Sequence, residues 1–294
     1  MRDDLAWEVW SRERQQRIED VLERALILPG APTRLLDAMR HATLGGGKRV
    51  RALLAYAAGE FAHGEASVVD DAAAALELIH AYSLVHDDLP CMDDDVLRRG
   101  KPTCHVAFGE ATALLAGDAL QTLAFEVLAR SRLPDAGRAC AVLAQAAGAA
   151  GMAGGQAHDL DAVGRSLDAE ALARMHAMKT GALIRAAVAI GALAGDSRDP
   201  AEHAALDAFA GAAGLAFQVI DDVLDVEGSA ATLGKTAGKD AANAKPTYVT
   251  LLGVAAAKAH AERLRHDAHA ALAPYGTRGR RLRELADWIA ARRH

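Results

Sequence analysis

The sequence predicts an all-α protein, a single-domain helical bundle, and three observations carry that reading. Aromatic residues make up only 4% of the 294 residues while alanine is abundant. Alanine is the best helix former, and sheets draw on the aromatic and β-branched residues that are scarce here. Apolar residues recur at helical spacing nearly throughout, as in Leu76, Ile79, His80, Ser83 and Leu84, in Leu183, Ala187 and Ile190, and in Leu215, Val219 and Val223. No alternating apolar and polar run is long enough to build a sheet.

The breakers set the element order. They stand at Pro29-Gly30, Gly45-Gly46-Gly47, Gly64, Pro90, Gly100-Lys101-Pro102, Pro134, Gly195 to Pro200, Gly228 to Gly238, and Pro274, and the intervals suit helices of ordinary to long length. The spacing predicts helical segments over 68–88 and 203–227. Segments 111–130 and 181–194 are apolar on most faces, which predicts helices in the centre of a bundle. Ala139 to His158 is the longest uncharged stretch. It is long enough to span a bilayer, but its Ala and Gly lack the Leu, Ile, Phe and Val that drive insertion, so it predicts a buried helix packed through small side chains. No repeat or linker divides the chain, so residues 1–294 are expected to form one domain.

Composition excludes several classes. At 51% hydrophobic and 24% charged, the chain is too apolar to be disordered. A net charge of −6 lacks the basic surplus of a nucleic-acid binder. Three cysteines, Cys91, Cys104 and Cys140, are too few for a disulfide scaffold, which fits a reducing compartment. Charges at the N-terminus stand where a signal peptide needs its apolar stretch. The expected location is therefore cytoplasmic, with no membrane span.

Two aspartate clusters dominate the chemistry: Asp87-Asp88-Leu89-Pro90-Cys91-Met92-Asp93-Asp94-Asp95 and Asp221-Asp222-Val223-Leu224-Asp225. Asp221 and Asp225, four apart, project from one helix face and repel each other there. Both clusters abut apolar segments, where carboxylates require compensation. Several carboxylates without thiols or paired imidazoles suit a hard cation, Mg²⁺ above all. A solvated acidic surface is the plainer reading of either cluster alone.

Basic groups supply the other half of a site. Gly45-Gly46-Gly47-Lys48-Arg49-Val50-Arg51 sets three cations after a glycine turn at a helix start, where backbone amides favour phosphate. Arg98-Arg99 follows the first cluster, and Lys235, Lys239 and Lys245 follow the second. Simple ion pairing is the alternative use for these groups. Two other motifs fail. Gly228 to Thr236 ends like a P-loop, but its glycine spacing is one residue too long and it follows a helix. His86-Asp87 lacks the further histidines of a metal phosphohydrolase.

Taken in order, these motifs resemble the trans-isoprenyl diphosphate synthases, most of all the bacterial farnesyl diphosphate synthases, from about Leu35 to Leu252. The resemblance rests on Gly45 to Arg51, Ile79 to Pro90, Arg98 to Thr103, Gly154-Gly155-Gln156, Lys179 to Ile184, Phe217 to Asp222, Leu233-Gly234-Lys235 and Lys245 to Tyr248. It implies a bundle around a central cavity and head-to-tail condensation of isopentenyl diphosphate with dimethylallyl or geranyl diphosphate.

Residue by residue, the resemblance implies that Asp87 and Asp93 hold two Mg²⁺ ions with Asp88 close by. Asp221 would hold a third, supported by Asp222 and Asp225. Gly47, Lys48, Arg51, His80 and Arg99 would hold isopentenyl diphosphate; Arg98, Lys179, Lys235 and Lys245 the allylic diphosphate. Thr180 and Gln218 would face the developing cation. Tyr82 and Ser83, one turn before Asp87, would set the cavity floor and product length at farnesyl diphosphate. A homodimer is also implied. His41 and Ala52 depart from the usual pattern, and Cys91 reads as a small filler. Three rivals are weighed besides a geranylgeranyl diphosphate synthase: a class I terpene cyclase, which has no need of the basic motifs; a non-catalytic synthase subunit, which typically lacks one aspartate motif; and a purely structural bundle, which leaves the acidic clusters unexplained.

Overall fold

The computed structural model describes residues 6–165, 167–195, 199–227 and 245–292. Among these, helix dominates, as the composition requires. In chain order the elements are α1 (Trp7–Ala25), α2 (Thr33–Thr43), α3 (Val50–Phe61), α4 (Ala66–Asp87), α5 (Cys104–Phe108), α6 (Glu110–Ala129), α7 (Ala136–Ala147), α8 (Met152–Asp161), α9 (Ala169–His176), α10 (Ala182–Ala192), α11 (Pro200–Glu227), α12 (Tyr248–Leu252), α13 (Val254–Leu272) and α14 (Arg280–Ala290). The only strands among the described residues are a two-residue antiparallel pair, Leu97–Arg98 against Lys101–Pro102.

Helix ends fall where local chemistry puts them. α3 starts after the glycine run, with Arg49 in the left-handed region at φ 50°. α4 stops at Asp87 because Pro90 removes a donor and restricts the residue before it. α11 opens on Pro200, whose missing N–H costs nothing in a first turn, and the Asp199 carboxylate accepts from the Ala201 amide at 2.8 Å.

α4 is the axis of the fold. It lies against α6 on one side and α3 on the other, α10 covers α3, and α11 runs along α13. The run Ala72 to Ala75, continued by Leu76, Leu78 and Ile79, is fully buried. Small side chains permit this close approach of helices on several faces.

Two expectations need correction. Ala139 to His158 is not one helix: α7 ends at Ala147, and a turn over Gly148–Gly151 redirects the chain into α8. Four residues in which glycine stands twice break the helix, since glycine costs about 1 kcal/mol in a helix interior. The segment 111–130 is not central either. α6 buries Ala113, Ala116 and Leu120 against the bundle but leaves Leu114 at 48% and Leu115 at 57% exposed. α10 does sit in the core, as its apolar circumference predicts. By length and composition alone α6 and α11 could each cross a bilayer, but α11 carries Asp221, Asp222 and Asp225.

Candidate active site

A cavity of about 730 Å³ opens between α3, α4, α8, the turn Ala177–Gly181 and α11, within the ~300–1,000 Å³ usual for small-ligand sites. Asp87, Asp93, Lys48, Arg51, His80, Arg98, Arg99, Lys179, Thr180, Gln218, Asp221, Asp222, Asp225 and Lys245 all line it, together with Gly47, Tyr82 and Ser83. Lys235, and with it the P-loop-like stretch Gly228 to Thr236, lies outside the described residues.

The first acidic wall is made by a turn that doubles back. The Asp93 amide donates to the Asp87 carbonyl at 2.8 Å and the Asp95 amide to that of Asp88 at 3.2 Å, with Asp94 at φ 50°. Asp87 and Asp93 thereby reach one wall despite the six-residue spacing. Burial raises the Asp87 carboxyl to about 6; nearby Lys179 pulls it down, while Asp93 pushes it up further.

Asp88 does not join them. It is buried and held by Arg98, whose Nε donates at 2.9 Å and Nη2 at 2.6 Å to its Oδ1. Asp88 faces a smaller cleft beside α2, and its ion pair orients Arg98. Consecutive residues at the end of α4 point about 100° apart, and here that rotation turns Asp88 away from the cavity that Asp87 faces.

The basic mouth forms where two turns meet. Gly47 has φ 106°, and a Cβ there would lie 2.8 Å from the Arg99 guanidinium carbon. Only glycine supports both that conformation and that approach. Arg99 Nη1 donates to the Gly46 carbonyl at 2.6 Å. Arg49 departs from this cluster: it is buried and donates to Glu19 at 2.7 Å and Glu77 at 3.2 Å. Arg51 is the opposite case, since its buried Nε has no hydrogen-bond partner. Burial lowers its pKa, with Arg99 adding to the effect. Burial and the cations Arg51, Arg99, Arg98 and Arg49 hold His80 neutral.

The second wall combines α11 with a π-helical turn, Ala177–Gly181. Such turns re-aim side chains locally, and this one presents both Lys179 and Thr180. Gly155 lets α8 come close, since a Cβ there would sit 2.1 Å from the Lys179 backbone nitrogen. The Thr180 hydroxyl donates to Gln218 Oε1 at 2.8 Å, and Gln218 Nε2 donates to Asp222 at 2.8 Å. Asp222 is buried and also accepts from the Tyr248 amide at 2.7 Å. Its oxygens are engaged in orienting Gln218 and α12. Asp225 is buried as well, while Asp221 is 40% exposed.

Several site residues have no sequence signal. Asp159 on α8 accepts from Lys179 at 2.6 Å and lies 3.4 Å from Lys245, and Lys245 donates to Asp93 at 2.9 Å. Burial works against the Asp159 charge, yet Lys179 and Lys245 keep its carboxyl below the usual range. Arg292, after α14, donates to Asp221 at 2.9 Å and to the Phe217 carbonyl at 3.0 Å, with its guanidinium 3.8 Å from the Phe217 ring centre. Gln156, part of the Gly154-Gly155-Gln156 motif but given no role by it, faces the cavity with both side-chain heteroatoms buried and unpartnered.

No three His, Cys, Asp or Glu side chains among the described residues converge as a ready-made metal site. The donor set still fits a hard cation: half-buried Asp87 and Asp93 repel each other, and both walls offer oxygen donors. A diphosphate would complete the coordination and meet the unpartnered Arg51.

Helices closing round a cavity with an apolar depth and a mouth of carboxylates and cations define a class of protein suited to a ligand with an anionic head and a hydrocarbon tail. The chain belongs to the polyprenyl synthetase family, whose sequence profile matches residues 32–271. It is 51% identical to a probable farnesyl diphosphate synthase of Sinorhizobium fredii over 97% of this chain and 87% of that one. It is 50% identical to the farnesyl diphosphate synthase of Escherichia coli over 90% and 91%. A geranyltransferase from Helicobacter pylori, solved in complex with magnesium and isoprenyl diphosphate, superposes with a TM-score of 0.85 at 32% identity, over 97% of each chain.

Proposed function

We propose that the chain is a farnesyl diphosphate synthase, a prenyltransferase that condenses isopentenyl diphosphate with dimethylallyl and then geranyl diphosphate. One observation carries this reading most: the partner-seeking cation Arg51, beside Arg99 and His80, opens onto the same apolar cavity as Asp87, Asp93 and Asp221. A cyclase that takes a single substrate has no use for a second anion site. A structural bundle has no use for either.

The residues divide into two anion sites. Gly47, Lys48, Arg51, His80 and Arg99 form the one for isopentenyl diphosphate. Arg98, Lys179 and Lys245 form the one for the allylic diphosphate, and Lys235 belongs with them by its motif. Asp87, Asp93 and Asp221 would hold Mg²⁺, three ions in all, with Asp225 in support. Those ions supply charge neutralisation of the departing diphosphate.

Each remaining task falls to the protein. The lysines hold the diphosphate end so that the allylic C–O bond breaks with its charge already matched. Thr180 and Gln218 turn oxygen dipoles toward the carbon left positive, and their mutual hydrogen bond, anchored on Asp222, keeps them from reorienting. The apolar depth beyond excludes water from that carbon. The double bond of isopentenyl diphosphate closes the new C–C bond, and the proton it sheds passes to the released diphosphate. No side-chain nucleophile is required. Tyr82 and Ser83 close the depth at a C15 chain.

A homodimer, one functional unit over 1–294 and a cytoplasmic location complete the proposal. The decisive experiment incubates the purified protein with isopentenyl diphosphate, geranyl diphosphate and Mg²⁺ and resolves products by chain length. C15 product that Asp87→Ala abolishes is the expected result. No elongation, or elongation that survives Asp87→Ala, overturns the reading.

A further inference from the structure

One turn above Tyr82 on the cavity wall, α4 packs an imidazole against a glycine of α6. Tyr82 and His86 are one helical turn apart on α4, so their side chains share a face. The His86 ring stands edge-on to the Tyr82 ring, with centroids 5.8 Å apart and planes at 79°, the edge-to-face arrangement aromatic pairs favour. His86 Nε2 lies 3.0 Å from the Leu114 carbonyl of α6. A carbonyl only accepts, so Nε2 carries the proton and the ring orientation is set. Both rings line the cavity.

Gly117 makes the docking possible. A Cβ at that position would stand 2.0 Å from His86 Nε2 and 2.4 Å from Cδ2. Its backbone is ordinary helix in an otherwise Ala- and Leu-rich segment, Ala111 to Leu120. Glycine there sacrifices about 1 kcal/mol of helix propensity relative to alanine, with no turn or positive φ to require it. The notch it leaves is filled by the imidazole.

We infer that His86 is a positioning residue for product length: seated in the Gly117 notch and tied to the Leu114 carbonyl, it braces the Tyr82 ring across the cavity floor. A side-chain hydrogen bond to Gln121 of α6 ties the Tyr82 hydroxyl, but that single tether leaves the ring face open to displacement by a growing hydrocarbon tail. The imidazole blocks one direction of that displacement. This inference rests on the chain-elongation reading above.

Two substitutions act in opposite directions. Gly117→Ala drives the imidazole more than an ångström off α6 toward Tyr82 and the cavity, so synthesis from dimethylallyl diphosphate should release more C10 and less C15. His86→Ala removes the brace and opens the notch, so the C20:C15 ratio should rise by about tenfold, at the low end of the ~10–200-fold selectivity that one methylene-sized change in an apolar pocket produces. In the double variant the added methyl no longer meets an imidazole, and the C10 shift caused by Gly117→Ala should vanish. That non-additivity marks a direct coupling.

The experiment runs wild type, both single variants and the double variant with dimethylallyl and isopentenyl diphosphates, and reads C10:C15:C20 ratios alongside circular dichroism. A purely structural role would lower total turnover and leave the ratios unchanged, which would overturn the inference. So would a Gly117→Ala shift of equal size with and without His86. If Gly117→Ala fails to fold, His86→Gln decides: it keeps a donor for the Leu114 carbonyl without the ring, and a C20:C15 ratio equal to wild type sinks the idea. Failure of the wild type to elongate at all would instead sink the functional reading.

Discussion

Lys245 donates to Asp93 at 2.9 Å across 152 residues of sequence, and its ammonium also lies 3.4 Å from Asp159. Asp159 thus gathers Lys245 and Lys179 at the edge of the cavity and aims both at the space beside Asp93. Asp159→Asn removes the shared anion and leaves two neighbouring cations. The expected loss of folding stability is about 2 kcal/mol, below the ~3–5 kcal/mol of a fully buried pair because the Lys179 side chain is 25% exposed. Denaturant unfolding measures it, and a loss under about 0.5 kcal/mol, the level of an exposed ion pair, would contradict this role.

Arg292 competes for Asp221 with any cation that binds there. The pair is partly exposed on the Asp221 side. Arg292→Gln should lower the Mg²⁺ concentration that half-saturates binding in the presence of inorganic pyrophosphate by about fivefold, the equivalent of ~1 kcal/mol for such a pair. Isothermal titration reads this without turnover. An unchanged or weakened Mg²⁺ requirement would show that Arg292 does not act as a counter-ion to Asp221.

Tyr82 is 8% exposed and lines the cavity five residues before Asp87, about 7–8 Å deeper along α4. Removing its ring in Tyr82→Ala should move the main product from C15 to C20 or longer, as seen by chromatography of the dephosphorylated alcohols. A product still confined to C15 would place the floor elsewhere.

His176 gives the fold a pH dependence of known sign. Burial lowers its pKa from 6.5 to about 4; Asp159 and Asp221 act to raise it and Lys179 to lower it further. Between those values the unfolded chain binds the proton that the folded chain refuses, so the His176 contribution to stability falls as pH drops from about 6.5 to 4. Its sign is opposite to that of Asp87, whose raised carboxyl takes up a proton in the folded state. The full span corresponds to about 3 kcal/mol. His176→Phe, which keeps the stacking on Tyr248, should make the variant progressively more stable relative to wild type as pH drops through that range. A constant difference from wild type across that range would rule out the His176 contribution.

The helices, their order and the two acidic clusters were legible from sequence because each depends on residues a few positions apart. Apolar spacing, Pro90 after the first aspartates and the glycine run before Arg49 act locally, whatever surrounds them. The same holds for the Asp221 and Asp225 spacing, which α11 displays on one wall. What the sequence could not determine is the direction each charge faces. Asp88 and Asp87 are neighbours of one type, yet helix phase turns one to Arg98 and the other to the cavity. Lys48, Arg49 and Arg51 read as one basic motif, yet Arg49 is consumed by Glu19 and Glu77. Asp159, Arg292 and the fit of His86 into Gly117 were invisible, since each is a contact between segments 20 to 75 residues apart. Local propensity determines which segments are helical and which residues are charged. Only the packing of helix against helix decides which charges meet, because that depends on axial rotation and close approach, which no single segment encodes.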